Sequence, residues 1–465
     1  MEEKTEKKEK KGIDKKVLAL LFTVIFIVSV VSVLGYMVYL HETEITPQFT
    51  TEQNYTQRLK TILDLVESGR LEWKQALPLI KEIVETAEHH ETPPWMWHSP
   101  PNMVVQQGSG VESVDYIIFG VDTDGDKIAD EIYAKNGLTG EIEFSGTDAA
   151  TVIQNTIDAL PTYSYPYGGG TIAIKGTSNC FIYEITKKIV VDKPLRLVGD
   201  NRYGIVELRA APGLNDRLLE VYKAGEDFWT EISRLKFEGN KNQQTSGDYL
   251  IYFYGGYPIM RDCYVMNAYQ TGIYIHAQDF HFYNVYAEFC GKYGWDIRCT
   301  QNGQLYSCTA WGNGDAGIFL IYSHRWSLVN CRVMKNKGGS YHNAGLYIHS
   351  SSRGQVIGGY YCENDGPGID LYNSDHIQII GAMVRDNSQY ANNTYDGIRI
   401  RGNSNHNIVN GCTIFSTLTN KQRYGVYEQD TADYNLIVGN IIHDNVSGQI
   451  YLIGTNSIQA NNIVS

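Results

Sequence analysis

Residues 272–276 read GIYIH, and seven variants of this phrase follow before the sequence ends. The variants are GWDIR at Gly294, GIFLI at Gly317, GLYIH at Gly345, GIDLY at Gly368, GIRIR at Gly397, GVYEQ at Gly425 and GQIYL at Gly448. Successive glycines lie 22 to 29 residues apart, and a second strand-like run, marked by Asn, Ser or Gly, begins 12 to 14 residues behind each glycine. A repeat of this period with two strand-like runs per unit predicts a solenoid of β-coils.

The repeated strands place two columns of side chains on the outer face of the predicted coils. Side chains alternate along a strand, so the apolar positions of each copy face inward and the residues between them face solvent. The first column runs Tyr274, Asp296, Phe319, Tyr347, Asp370, Arg399 and Tyr427, and the second runs His276, Arg298, Ile321, His349, Tyr372, Arg401 and Gln429. Neighbouring coils are expected about 4.8 Å apart.

The residue types in these columns favour a polysaccharide or glycan as partner. Aromatic faces stack on the apolar faces of sugar rings, and charged groups bind hydroxyls or uronates. Nucleic acid is disfavoured, because the formal net charge is −13 and phosphate contacts need a basic surface. The predicted substrate-binding residues are Tyr274, His276, Asp296, Arg298, Tyr347, Tyr372 and Tyr427.

The variation in repeat length falls in the loop that precedes the glycine strand. The long loops cover residues 333–344, 385–396 and 415–424, and they flank the coil that carries Asp370 and Tyr372. Loops on a rigid scaffold commonly carry function, so we predict the site at this coil. The candidate catalytic residues are His349, Asp370, Asp396, Arg399 and Arg401, with Asp365 on an adjacent turn.

Two reactions fit these residue types. A lyase of acidic polysaccharide needs a cation beside the uronate carboxylate and a base for the C5 proton, roles suited to Arg399 or Arg401 and to His349. A glycoside hydrolase needs two carboxylates at a defined separation, for which Asp370 and Asp396 are the candidates. Asp296 is predicted three coils from Asp370, about 14 Å away, which is too far to be its partner.

The segment ahead of the repeats has the features of a first coil. Thr147 or Asp148 is placed to cap a helix that runs to Leu160, and the strand-like segment YGGGTIAIKGT follows at residues 167–177. This segment resembles the N-terminal part of the right-handed parallel β-helix proteins of the pectate-lyase-like superfamily. In those proteins a helix plugs the first coil and a GGG-strand-GT segment begins the winding. With the repeats, the resemblance covers residues 145–465 and implies an all-β, right-handed parallel β-helix.

The resemblance implies a fold more specifically than an activity. The superfamily includes lyases, hydrolases, epimerases, phage tailspikes, adhesins and surface proteins. IRIRG at residues 398–402 is similar to the Arg-Ile-Lys segment of polygalacturonases, but their Asn-Thr-Asp, Asp-Asp and Gly-His-Gly motifs are absent from the sequence. The Asp-Pro-His-Glu motif of alginate epimerases and the clustered calcium carboxylates of pectate lyases are also missing from the repeats. A structural or adhesive cell-surface protein without catalysis is therefore the alternative function.

An acidic loop, DTDGDKIAD at residues 122–130, lies between two strand-like segments. Asp122, Asp124, Asp126 and Asp130 alternate along it, a spacing that wraps carboxylate oxygens around one hard cation. The loop resembles the acidic loops of thrombospondin type 3 and dockerin-like repeats, although Tyr133 stands where an EF-hand loop has glutamate. We predict a structural calcium site here, with a solvated hairpin turn as the alternative.

The first hundred residues predict attachment to a membrane. Residues 17–40 carry no charge and would form a helix of about 36 Å, long enough to span a bilayer. Seven Lys precede this run, which places residues 1–16 in the cytoplasm and the bulk of the protein outside the cell. Residues 41–101 are predicted to form a helical stalk and linker, and residues 102–144 a small β-hairpin segment. A cleaved signal peptide is the alternative to the anchor.

Two further features concern the interior and the end of the solenoid. Cys308 and Cys331 occupy the same position in adjacent coils, where they would form either a disulfide or part of a ladder of buried thiols. The last repeat stops at Ser465 without a capping element. We expect association with a partner or a second copy at this uncapped C-terminal coil, because uncovered strands leave backbone groups unpaired.

Overall fold

The computed structural model describes residues 114–162, 168–201, 205–338 and 343–465. The predicted cytoplasmic tail (1–16), transmembrane helix (17–40) and helical stalk (41–101) lie outside the described residues. Within these four ranges, no helix has the length and apolar character needed to cross a membrane. The membrane anchor therefore stays a prediction.

Short strands and one α-helix make up the described chain. The first part contains β1 (Tyr116–Val121), β2 (Glu131–Asn136), β3 (Ile142–Gly146), α1 (Ala149–Ala159), β4 (Gly170–Gly176), β5 (Ile182–Ile185), β6 (Ile189–Val191), β7 (Leu195–Asn201), β8 (Val206–Ala210), β9 (Leu219–Val221), β10 (Trp229–Ser233), β11 (Leu235–Glu238), a 3-10 turn (Lys241–Gln243), β12 (Tyr249–Tyr254), β13 (Tyr257–Arg261) and β14 (Tyr264–Met266). The middle part contains β15 (Thr271–His276), β16 (His281–Tyr283), β17 (Tyr286–Glu288), β18 (Trp295–Arg298), β19 (Gln304–Tyr306), β20 (Thr309–Trp311), β21 (Ile318–Ile321), β22 (Ser327–Val329), β23 (Arg332–Met334), β24 (Leu346–His349), β25 (Gln355–Ile357) and β26 (Tyr360–Cys362). The last part contains β27 (Ile369–Tyr372), β28 (Gln378–Ile380), β29 (Met383–Arg385), β30 (Ile398–Arg401), β31 (Ile408–Asn410), β32 (Thr413–Phe415), β33 (Tyr424–Glu428), β34 (Leu436–Val438), β35 (Ile441–His443), β36 (Gly448–Tyr451), β37 (Ile458–Ala460) and β38 (Ile463–Val464).

Each coil contributes one strand to each of three parallel sheets. The first sheet takes every third strand from β4 to β37, the second from β5 to β38, and the third from β6 to β36. The third sheet contains the glycine repeat, and the turn between the first and second sheets contains the second landmark of each repeat. Seven of the eight landmark residues adopt positive φ angles, as at Asn284 and Asn330, and in the remaining repeat Gly411 does so instead of Asn410. This suits the turn chemistry of Asn and Gly. The predicted parallel β-coils are confirmed.

The hairpin segment continues the first sheet. Strand β1 pairs antiparallel with β2, β2 pairs antiparallel with β3, and β1 pairs in parallel with β4. The segment predicted for residues 102–144 thus extends to Gly146 and forms the N-terminal edge of the first sheet.

Helix α1 occupies the segment for which the sequence predicts a capping helix. Asp148 is the N-cap, and its side chain accepts a hydrogen bond from the backbone N–H of Thr151. Val152, Ile153 and Ile157 are buried against the first coil. The helix contacts β2, β3, β5 and β6, so it covers apolar side chains that the first coil would otherwise expose.

A ladder of buried amides runs along the turn between the second and third sheets. Its members are Asn313, Asn336, Asn364, Asn387, Gln422 and Asn445. Each side-chain amide donates to the side-chain oxygen of the next, over 2.7 to 3.0 Å. From Asn313 to Gln422 each member also accepts a backbone N–H from the preceding turn. The ladder therefore satisfies polar groups that the coils bury.

The amide ladder also explains why glycine begins the four consecutive repeats from Gly294 to Gly368. A Cβ atom at Gly345 would lie 2.5 Å from Nδ2 of Asn364, and one at Gly368 would lie 2.6 Å from Nδ2 of Asn387. Real Cβ atoms do not approach other heavy atoms so closely, and a packed interior has little room to relax. In these four repeats the glycine is therefore required by close approach to the ladder.

The eight cysteines, all within the described ranges, are free thiols, and seven of them are buried. Cys308 donates toward the carbonyl of Phe282 at 3.5 Å, and Cys331 toward that of Leu305 at 3.6 Å. Burial raises the pKa of Cys331 to about 12. Cys308 and Cys331 are thus buried free thiols, in agreement with the interpretation as a ladder of buried thiols.

The last described coil exposes apolar side chains on two of its strands. Ile458 in β37 and Ile463 and Val464 in β38 are largely exposed. Association through this coil stays a prediction.

Candidate functional site

The strand register places both predicted columns on the third sheet. Tyr347, Asp370, Arg399 and Tyr427 pair in sequence from β24 to β33. His349 pairs with Tyr372, and Tyr372 with Arg401. Tyr274, Asp296 and Phe319 continue the first column toward the N-terminus, and His276, Arg298 and Ile321 continue the second. The alignment of the repeats is confirmed at the level of individual residues.

The prediction that the first column faces solvent is wrong for its members from Tyr274 to Asp370, whereas Arg399 and Tyr427 are partly exposed. Tyr274, Asp296, Tyr347 and Asp370 are 9%, 1%, 3% and 1% exposed, respectively. These side chains point away from the coil interior, but other groups cover them. The second column, by contrast, is half-exposed at each of its positions from His276 to Gln429. The second column therefore forms the surface that a ligand meets.

A small apolar cluster outside the coils covers part of the first column. Its members are Tyr293, Ala316, Phe319, Ala344 and Tyr347. The ring of Phe319 stacks on Tyr293 at 4.8 Å and on Tyr347 at 5.6 Å. Tyr293, Ala316 and Ala344 come from the loops that precede the third-sheet strands. These loops fold over the sheet, because covering the aromatic rings removes apolar area from water.

The loops have the predicted location and flank the strand of Asp370. They connect β23 to β24, β29 to β30, and β32 to β33, although residues 339–342 of the first loop lie outside the described residues. Asp365, on a turn beside the first loop, accepts a hydrogen bond from the backbone N–H of Gly338. Its role in the structure is to join two adjacent turns.

Asp370 is held by two arginines. Arg399 donates from Nε and Nη2 to its two oxygens at 3.1 and 2.7 Å, and Arg401 donates to the same carboxylate at 3.1 to 3.2 Å. Burial raises the pKa of Asp370, but the two guanidiniums outweigh burial and hold it below the ordinary value. Asp370 is therefore an ionised group that positions two arginines, and the three side chains together carry a net charge of about plus one.

Arg401, Tyr372 and His349 form the accessible part of the site. The guanidinium of Arg401 lies 4.4 Å from the ring centroid of Tyr372, within cation–π range. The ring of His349 stacks on Tyr372 with centroids 4.9 Å apart. Burial and the nearby Arg401 lower the pKa of His349. The imidazole is thus neutral at neutral pH and able to accept a proton.

Asp396 belongs to a separate ion pair. Arg423 donates to its two oxygens at 3.0 and 2.9 Å, and the guanidinium lies 4.1 Å from the ring centroid of Tyr427. Burial raises the pKa of Asp396, while Arg423 opposes the shift. Because Asp370 and Asp396 both lie beneath arginines and are at most 1% exposed, neither presents a carboxyl group at the surface, as a glycoside hydrolase requires.

Two sets of residues in this surface were not predicted from the sequence. Arg423 lies in the loop two residues ahead of Gly425, outside the repeated phrase. Tyr249 and Tyr252 in β12 pack against Tyr274 with centroids 4.5 and 4.9 Å apart, and Arg217 lies 3.7 Å from the ring of Tyr252. Strand β12 reads YLIYFY without the glycine, so a search for the repeated phrase passes over it. The three tyrosines of this strand were the available signal.

The acidic loop brings three of its four predicted ligands together. Carboxylate oxygens of Asp122, Asp124 and Asp130 lie within 4.8 Å of one another, whereas Asp126 is outside this group. The Asp122 carboxylate accepts backbone N–H bonds from Asp124, Gly125 and Lys127. Such oxygens suit a hard cation such as calcium, which would occupy the space between the three carboxylates. Calcium at this loop stays a prediction.

We expect millimolar calcium to bind the acidic loop and raise the thermal stability of the protein, since a ligand that binds only the folded state stabilises it. Isothermal titration calorimetry should show heat that Asp124→Asn removes. Asp216→Asn, at an exposed aspartate outside the loop, is the matched control. No heat and no thermal shift with the unaltered chain would contradict the prediction.

Comparisons with known proteins agree on the fold. The family model described as a right-handed β-helix region matches residues 221–384. The A-module of the mannuronan C-5 epimerase AlgE6 from Azotobacter vinelandii is similar in structure, with a TM-score of 0.51 and 18% identity over 68% of this chain and 95% of the module. The A-module of AlgE4 from the same organism gives 0.46 and 16% over 67% of this chain and 96% of the module. The gp42 tailspike of Acinetobacter phage vb_AbaP_AS12 gives 0.45 and 12% over 68% and 59%.

The comparison with curated proteins found no match. At these identities the structural likeness concerns the fold alone, and the sheet pairing independently shows the parallel coils. The described chain is a right-handed parallel β-helix.

Proposed function

We propose that the outer face of the third sheet binds an acidic polysaccharide, with Arg401, Tyr372 and His349 as the central contacts. The observation that carries this proposal is the pair of arginines held against buried Asp370 beside two stacked, half-exposed rings. A guanidinium binds a carboxylate through two parallel hydrogen bonds, and an aromatic face packs on a sugar ring. Groups able to make both types of contact lie on adjacent strands, Tyr372 on β27 and Arg401 on β30.

The local charge supports an acidic ligand although the whole chain is acidic. Arg399 and Arg401 share one counter-ion, Asp370, whereas Arg423 and Asp396 neutralise each other. The site therefore has an excess of positive charge. A solved β-helix of similar fold is named a mannuronan C-5 epimerase, and mannuronan is a polymer of uronate. A uronate polymer is accordingly the first ligand to test.

A second candidate function is abstraction of the C5 proton of a bound uronate. His349 favours it, because a neutral imidazole next to a guanidinium provides a base beside a group that stabilises the developing negative charge. Arg401 would neutralise the uronate carboxylate, and His349 would accept the C5 proton. The electron pair left at C5 would form a C4–C5 double bond as the C4–O glycosidic bond breaks, and the leaving oxygen would take a proton from solvent. The hydrolase alternative has less support, since Asp370 and Asp396 are both covered.

We expect Arg401→Ala to weaken binding of mannuronan and polygalacturonate by about 10- to 100-fold, the value of a charge-assisted contact of about 1.5–3 kcal/mol. Arg401→Lys should recover only part of this loss, because lysine keeps the charge without the planar fork. Affinity would be measured by calorimetry, with neutral dextran for comparison. Arg332→Ala, on an exposed position of the second sheet, is the matched control and should change nothing.

Analysis of the products formed in the same mixtures separates the candidate functions. Unsaturated products, followed by their absorbance, would identify a lyase, and new reducing ends without absorbance would identify a hydrolase. Binding without turnover would leave a glycan-binding protein. Absence of binding to every polysaccharide would contradict the proposal and favour the structural or adhesive alternative.

We further propose that the β-helix is displayed outside the cell on an N-terminal anchor. The support is the uncharged run at residues 17–40 with seven Lys ahead of it. An extracellular position would expose the third sheet to polysaccharide.

A further inference from the structure

A second arginine–aspartate pair lies on the same face of the third sheet. Arg298 donates from Nε and Nη2 to the two oxygens of Asp296 at 2.7 and 2.8 Å. The side chain of Asp296 is 2% exposed, whereas that of Arg298 is 40% exposed. The carboxylate is therefore buried beneath the guanidinium, and the guanidinium faces solvent.

The pair is built like the one formed by Asp370 and Arg401. In both pairs the aspartate is a buried member of the first column and the arginine is a half-exposed member of the second. The guanidinium of Arg298 lies 5.5 Å from the ring of Phe319, and that of Arg401 lies 4.4 Å from the ring of Tyr372. Within the described residues, Nη1 of each arginine makes no hydrogen bond, so each retains donors for a ligand.

The register fixes the separation of the two arginines. Arg298 pairs with Ile321, Ile321 with His349, His349 with Tyr372, and Tyr372 with Arg401. Four strand steps of about 4.8 Å separate the arginine backbones by about 19 Å. The surface between them is formed by Ile321, His349 and Tyr372, which offer apolar and aromatic area without a formal charge at neutral pH.

We infer that Arg298 and Arg401 bind two anionic groups of one polysaccharide chain, with the intervening sugars lying on Ile321, His349 and Tyr372. This face then selects a polymer in which negative charge recurs over several sugar units, and short charged oligosaccharides gain only one of the two contacts. The inference rests on the proposed function for its Arg401 end. Beyond the proposed function, it assigns a second anion contact to Arg298 and sets a minimum length for the ligand.

A local role for Arg298 would be to neutralise Asp296 and nothing more. That role predicts an effect on folding that does not depend on the ligand. Two-point binding predicts an effect that depends on ligand length. The length dependence therefore distinguishes the two roles.

The experiment measures the affinity of the full chain for oligomannuronates and oligogalacturonates of two to eight units. For the unaltered protein, affinity should rise by about tenfold at the length that first spans about 19 Å. Arg298→Ala should remove this rise and leave the affinity for shorter oligomers unchanged. Arg401→Ala should weaken binding at every length, and Arg332→Ala should have no effect.

Removal of Arg298 alone leaves Asp296 buried without its partner, which could prevent folding. Asp296→Asn combined with Arg298→Gln removes both charges together and keeps the experiment decisive. Equal affinities for the unaltered and the doubly substituted protein at all lengths would overturn the inference and leave the proposed function standing. Failure of the unaltered protein to bind any oligomer would overturn both.

Discussion

Replacing Asp370 with asparagine should lower the free energy of unfolding by about 3 kcal/mol, because it removes the counter-ion of two arginines. Losing one member of a buried ion pair commonly costs about 3–5 kcal/mol. The lower end is expected here, since the side chains of Arg399 and Arg401 are 15% and 21% exposed and reach water in part. Denaturant unfolding followed by circular dichroism would measure the change.

The matched control is Asp375→Asn, three residues after Tyr372. The side chain of Asp375 is 48% exposed and its partner is His376, so its loss should cost less than about 1 kcal/mol. Similar costs for the two variants would contradict the role assigned to Asp370.

The cost of Asp370→Asn should also depend on pH. The pKa of Asp370 is lowered in the folded state, so its carboxylate stabilises the fold fully above the unfolded value of about 3.9. This contribution is lost as the pH falls from that value through the lowered folded-state pKa. The stabilities of the unaltered protein and the variant should therefore converge in acid, and a difference that persists there would argue against the linkage.

The sequence was sufficient to predict the coils, because their period is long and their pattern is regular. Alternation within GIDLY and GIRIR placed Asp370 and Arg399 in one column, and the structure pairs them. Such alternation determines whether a side chain faces the coil interior. It does not determine what lies against the outer side, because that depends on loops whose conformation the repeat does not specify.

Burial of the first column illustrates this limit. Tyr347 and Asp296 were expected at the surface, yet both are almost completely buried. Tyr347 is covered by Phe319 of the adjacent strand together with residues from the loops, and Asp296 is covered by its own neighbour Arg298. The predicted residues thus lie together as expected, but Asp296 and Asp370 orient arginines instead of meeting a ligand directly.

The amide ladder shows a second limit. Asn364 and Asn387 recur at the repeat spacing, and the sequence offered no way to distinguish a buried ladder from polar turn residues. The glycine of the four repeats from Gly294 to Gly368 was a visible sign of it, since glycine is needed there because the next coil's amide approaches the backbone closely.

We expect Asn364→Ala to destabilise the protein by about 3 kcal/mol or more, because several buried groups lose their partners. The side chain of Asn364 accepts from the backbone and side-chain N–H groups of Asn336 at 3.1 and 3.0 Å, and it donates to Asn387 at 2.9 Å. Each buried group left without a partner costs about 1–3 kcal/mol. Thermal and denaturant unfolding would measure the loss.

The matched control is Asn403→Ala, which makes the same chemical change at an exposed turn. The side chain of Asn403 accepts one hydrogen bond from Asn405, so its loss should lower the free energy of unfolding by less than about 1 kcal/mol.

Because each coil contacts only its neighbours, a broken ladder at Asn364 weakens the junction between the coils of β24 and β27. That junction carries His349, Asp370 and Tyr372. Asn364→Ala should therefore also lower the affinity for acidic polysaccharide, although Asn364 lies inside the coil and cannot touch the ligand. An unchanged affinity together with the loss of stability would contradict this second expectation. It would show that ligand binding does not depend on the hydrogen bonds that join these two coils.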